Sequence, residues 1–127
     1  DICFIDLVDG LGEFIKIGAP PSFIKRGDGV QTIKASTLPI GILMDIKVEN
    51  SYTKLKADDF IIMMTDGVLE ANKNCTDTEA WMKEVLMDIK TKNPQQMSEL
   101  IMETALKYCG GNLEDDMTVM VARLLKC

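Results

Sequence analysis

The stretch Phe60–Met64, "FIIMM", is apolar at five consecutive positions and is followed at once by the polar run "TDG". An alternating pattern would leave one strand face in water, whereas a continuous apolar run reads as a buried strand. Such a strand demands cover, and it delivers one carboxylate, Asp66, at its end. The same arrangement recurs in mirror order near the end of the chain, where Asp115 and Asp116 stand immediately before "MTVMV". Side chains at strand ends are held in place well, which is what ligands to a metal require. Asp-Gly and Asp-Asp are also ordinary turn and cap formers, and the local pattern leaves both readings open.

The rest of the sequence supplies the cover. "ICFIDLV" (2–8), "FIKIGA" (14–19), "SFIKR" (22–26), "VQTIKA" (30–35) and "VENSYTKL" (48–55) read as strands. "DGLGE" (9–13) and "GDG" read as turns between them, and the proline-bearing "LPIGIL" (38–43) as a connector. After Asp66 the apolar period changes from 2 to 3.6. Thr76 and Glu79 have capping-box spacing ahead of a helical face formed by Trp81, Met82, Val85, Leu86 and Ile89. Asn93, Pro94 and Gln96 mark the start of a second helix whose stripe runs through Met97, Leu100, Ile101, Ala105 and Tyr108 to a stop at Gly110 and Gly111. "MTVMVARLL" (117–125) closes the chain as a buried strand. The order predicts an α+β fold with two C-terminal-half helices packed on an antiparallel sheet.

The chemistry is bounded by what is missing. The chain has no histidine, which excludes a Ser-His-Asp triad and His-ligated zinc within it. None of its four cysteines has Arg six positions on, and none forms a CxxC pair. Thiolate phosphatase chemistry, a zinc site and a disulfide framework are therefore all disfavoured, and reduced thiols are expected. A net charge of −6 argues against nucleic acid. Carboxylates remain, and oxygen ligands alone suit hard cations such as Mg2+ or Mn2+. "RGD" at 26–28 reads as a turn, the nine methionines and Trp81 as core, and "KRGDG" as a solvated hairpin tip, although Lys25 and Arg26 are also candidates for gripping a phosphate.

Taken together, "GAPPSFIKRGDGVQTIKASTLPIGIL", "LKADDFIIMMTDGVLEA" and "EDDMTVMVARL" resemble the second half of a sporulation-type serine phosphatase domain, a branch of the 2C-type metal-dependent protein phosphatases. The resemblance runs through essentially the whole chain. It implies an α-β-β-α sandwich with a binuclear Mn2+ or Mg2+ centre between the central sheets, where an activated water attacks phosphoserine or phosphothreonine without a phosphoenzyme. It carries a metal-ligand role to Asp66 and Asp115, with Asp116 as a lesser candidate, and places Gly67 where the chain turns beside the metals. The implied substrate is a phosphorylated anti-anti-sigma factor, whose dephosphorylation frees a sigma factor in sporulation. The alternatives are a stress-response phosphatase of the same family and a non-catalytic, phosphatase-like interaction module.

The family's earlier acidic motifs, an Asp in an early strand and an Asp-Gly pair, are not matched here. The chain also enters a strand pattern directly from Asp1. Residues 1–127 are thus expected to be one partial domain whose upstream half lies elsewhere, inactive alone and prone to dimerise through uncovered sheet. The whole protein is expected to be attached to the cell membrane at the division septum, with this domain on the cytoplasmic side.

Overall fold

The computed structural model describes residues 2–34, 38–39, 41–42, 48, 50–110 and 114–125. Its elements run β1 (Ile2–Asp6), β2 (Leu11–Ile15), β3 (Ser22–Arg26), β4 (Gly29–Ile33), β5 (Asn50–Lys54), β6 (Phe60–Met64), α1 (Asp66–Leu69), α2 (Thr78–Asp88), α3 (Pro94–Cys109) and β7 (Val119–Arg123). The strands form two sheets, ordered β1-β2-β5 and β4-β3-β6-β7, and every pairing is antiparallel.

The apolar run of β6 is explained by two cores. Ile61 faces the space between the sheets with Phe14, Ile24, Ile33, Leu55 and Leu124. Phe60, Ile62 and Met64 point the other way, into a larger core with Val68, Trp81, Met82, Leu86, Met97, Ile101 and Ala105 from the helices. Each buried Val, Leu, Ile, Phe or Met side chain contributes roughly 1.5–3 kcal/mol of hydrophobic stabilisation. The described residues thus stack as sheet, sheet and helices, three layers of the expected sandwich. The outer face of the three-stranded sheet carries Ile2, Phe4, Leu11 and Tyr52, all exposed. Among the described residues no helix is long and apolar enough to cross a membrane.

Several boundaries differ from the sequence expectation for local reasons. The first hairpin turns at residues 7–10, not 9–13, so β2 begins at Leu11. The Asp6 carboxylate accepts the Val8 and Asp9 N–H groups, and Gly10 takes a φ of 65°, so the turn closes early. Gly12 then lies inside β2, where an added Cβ would come within 2.8 Å of the Leu55 side chain. Asp77, not Thr76, caps α2, accepting the Ala80 N–H at 2.9 Å. Asn93 caps α3 as expected, accepting from Gln95 and Gln96, and Gly110 ends it at a φ of 60°. On that helix Tyr108 is exposed, yet its ring lies 5.4 Å from that of the buried Trp81. Residues 40 and 43 of the connector expected at 38–43, and the second glycine, Gly111, lie outside the described residues.

Candidate metal centre

Strand pairing sets the site. β6 and β7 run antiparallel with Met64 opposite Val119, so the segment leaving β6 and the segment entering β7 emerge at the same end of the sheet. β7 is the last strand of its sheet and alternates between half-buried and exposed residues. The expectation of a buried strand there is corrected: β7 packs α3 on one face, and its other face is open.

Thr65 joins the two segments. Its N–H donates to the Thr118 carbonyl at 3.1 Å. Its hydroxyl donates to the Asp116 carbonyl and accepts the Thr118 N–H, both at 2.9 Å. The sequence reading passed over both threonines. The available signal was a Thr beside the acids in each motif, "TDG" and "DDMT", but one hydroxyl reaching across 53 positions is a tertiary fact.

Gly67 gives the tightest measure of the approach. An added Cβ would sit 2.7 Å from the Asp116 carbonyl oxygen and 3.3 Å from the Asp115 Cβ. Gly67 is buried within α1, and it is not among the glycines of positive φ. Its role is therefore close approach, and the tight turn expected after Asp66 is in fact the first turn of a short helix. The glycine makes room for the second acidic motif.

Asp66, Asp115 and Asp116 are all exposed. Asp66 Oδ1 accepts the Gly67 N–H at 3.0 Å, and Asp115 Oδ1 accepts the Asp116 N–H at 2.8 Å. Each of these carboxylates is oriented by one backbone donor, and neither is in an ion pair among the described residues. Asp115 presents its Cβ to Gly67, whereas Asp116 meets that glycine with its carbonyl, which ranks Asp115 ahead of Asp116 as a partner for Asp66. A shallow cleft beside them is lined by Met102, Leu106, Glu114 and Met117. Glu114 is engaged by Lys73. The donor set, carboxylate and carbonyl oxygen held on two strand ends, fits a hard divalent cation. No group of three or more acidic or thiol side chains that could hold a metal ion is found among the described residues.

The two candidate phosphate grips separate. Arg26 is committed to Asp59, donating from Nε at 2.8 Å and from a terminal nitrogen at 2.6 Å, and to the Lys54 carbonyl at 2.9 Å. Asp59 is fully buried and also accepts the Lys56 N–H, so this pair fixes the entry to β6. Lys25 is buried and lies on β3 against Phe60, at the end of the sheet far from Asp66. The solvated hairpin tip expected for "KRGDG" therefore holds for its glycines and Asp28 but not for Lys25.

Residues 1–125 match the family model described as stage II sporulation protein E (SpoIIE). The chain is 45% identical over 124 residues to stage II sporulation protein E of Bacillus subtilis (strain 168), covering 98% of itself but only 15% of that protein. It superposes with a TM-score of 0.91 and 45% identity on a structure of the PP2C phosphatase domain and a regulatory-domain fragment of Bacillus subtilis SpoIIE, covering 96% of this chain and 36% of that one. A second structure, the phosphatase domain of the same protein presoaked with Mn, matches with a TM-score of 0.85 at 45% identity, over 98% of this chain and 55% of that one. The α+β sandwich expected from the sequence is thus the 2C-type phosphatase fold, and the chain belongs to the stage II sporulation protein E family.

Proposed function

We propose that this chain supplies one side of a divalent-metal centre in a protein serine phosphatase of sporulation, with Asp66 and Asp115 as ligands to Mn2+ or Mg2+ and Asp116 in a lesser role. The observation that carries the proposal is the contact at Gly67, where two acidic motifs 49 positions apart in the chain leave no room for a Cβ. The family match and the manganese soak of the related domain support the same reading. Divalent ions bound at such a site lower the pKa of water and neutralise phosphate oxygens, which suits a chain without histidine. The chain's own part is positional. The Gly67 and Asp116 N–H groups fix the two carboxylates, and Thr65 keeps their strand ends in register. A phosphorylated anti-anti-sigma factor is the proposed substrate, with release of a sigma factor as the outcome.

Two acidic positions are too few oxygen donors for two divalent ions. The remaining ligands are therefore proposed to come from outside these 127 residues. The test is a manganese titration of the chain alone beside the complete phosphatase domain, reading hydrolysis of a phosphoserine protein. Activity is expected from the complete domain only. Equal rates from the chain alone would refute the partial-site reading, and an inactive complete domain would support the second reading, a non-catalytic module that binds its regulator on a phosphatase-like scaffold. That second reading draws on the same shortage of ligands.

The uncovered face of the three-stranded sheet gives a further expectation for the chain on its own. Phe4 and Tyr52 are 57% and 60% exposed and, with Ile2 and Leu11, form an apolar patch of the kind that associates. A second copy is the proposed cover. Light scattering is expected to show a dimer that the double substitution Phe4→Ser, Tyr52→Ser returns to monomer; a monomeric parent chain would refute it.

A further inference from the structure

At the other end of β6 and β7 from the acidic motifs lies a cavity of about 350 Å3 whose charge opposes that of the molecule. Phe60 and Arg123 are paired there, four residues along β6 from Met64, about 13 Å away. Lys25, Lys90, Lys92 and Arg123 line the cavity against only two acids, Asp28 and Asp58, in a chain whose net charge is −6. Phe60 and Ile89 supply apolar wall.

Two of those cations have unspent donors. Lys25 is 4% exposed, and its ammonium has no hydrogen-bond partner among the described residues. Arg123 is bonded through one terminal nitrogen to Asp58 and through the other to the Lys92 carbonyl, but its buried Nε–H is unpartnered among the described residues. A buried donor without an acceptor costs free energy, more so when charged. The acids nearby do not relieve it. Asp28 is bonded to Lys90 at 2.6 Å and Asp58 to Arg123, while Asp88 at the end of α2 acts on Lys25 only at a distance. Burial and the neighbouring Lys90 charge pull the Lys25 ammonium below the usual lysine range, against the opposing pull of Asp28 and Asp88. Lysines are rarely left in this condition unless an anion completes them.

We infer that this cavity is a binding site for a small organic anion, a phosphate or carboxylate group on an apolar body, with the oxyanion received by Lys25 and Arg123 Nε and the apolar part lying against Phe60 and Ile89. Its size is within the range of small-molecule sites, and a few polar groups on an apolar wall are the usual composition of one. It is distinct from the acidic pair, so its test is independent of phosphatase activity.

The test is calorimetric titration of the chain with phenyl phosphate, benzoate and inorganic phosphate, alongside thermal melting. Phenyl phosphate or benzoate is expected to bind saturably and more tightly than inorganic phosphate, and which of the two binds better identifies the oxyanion. Lys25→Met is expected to weaken that binding at least about tenfold. The same variant is expected to melt no lower than the parent, because it replaces an unpaired buried charge by an apolar side chain of similar length. Lys25→Arg is expected to retain binding. Absence of saturable binding to the parent, or binding unchanged by Lys25→Met, overturns the inference. A Lys25→Met chain that melts lower or does not fold makes Lys25 a structural residue of the fold and overturns it equally.

Discussion

Asp66→Ala, introduced into the complete phosphatase domain, is expected to lower manganese-dependent hydrolysis of a phosphoserine protein by about two to three orders of magnitude, since a ligand to the metal centre is asked for several kcal/mol of transition-state stabilisation. The substitution is informative because its structural cost is small. Asp66 is exposed, and its carboxylate accepts only the N–H of the next residue among the described residues. Removing it also takes one negative charge from beside Asp115 and Asp116, so the metal-free protein should melt at an unchanged or slightly higher temperature. The rise in melting temperature that manganese gives the parent should disappear, because that rise follows from binding alone. Asp115→Asn is expected to behave like Asp66→Ala, and Asp116→Asn to lose much less, as Asp116 approaches Gly67 through its backbone. If Asp66→Ala keeps both full activity and the manganese-dependent rise, then the carboxylate at the end of β6 is a helix-start residue and the proposed centre is wrong.

Much of this site was legible in the sequence, and the reasons are physical. The five-residue apolar run of β6 required cover on both faces, and the structure supplies it with one core on each side. Both acids stand next to strands that the apolar pattern marks clearly, so their placement at strand ends followed. What periodicity cannot carry is pairing between distant strands. Nothing local to Asp66 says that β7 is the neighbour of β6, and without that pairing the acids need never meet. The hydroxyl of Thr65 and the missing Cβ of Gly67 gain their meaning only through this long-range contact. Lys25 was obscured for the opposite reason. Its neighbours Arg26, Gly27 and Asp28 make a convincing exposed hairpin, whereas its surroundings are Phe60 and the segment after α2, which are remote in sequence.

Gly67→Ala is the substitution for which local and tertiary effects have opposite signs. Gly67 lies in a helix at ordinary backbone angles, so local propensity alone would make alanine stabilising by about 1 kcal/mol. The tertiary effect opposes it: the added methyl would sit 2.7 Å from a backbone oxygen that cannot rotate away. Relief requires moving either α1 or the segment carrying Asp115 and Asp116, and overpacking of this kind costs typically about 1–3 kcal/mol. The second term is the larger, because the Asp116 carbonyl is also held by Thr65 and moving it strains that bond as well. The melting temperature of the complete domain is therefore expected to fall by several degrees. Manganese affinity should fall with it, since the shift separates Asp66 from Asp115. Thr65→Val provides the companion test, loosening the same joint without adding bulk, and should weaken manganese binding with a smaller loss of stability. A Gly67→Ala domain that melts higher than the parent and binds manganese as before would mean that the two motifs do not touch, and the shared metal site would have no structural basis.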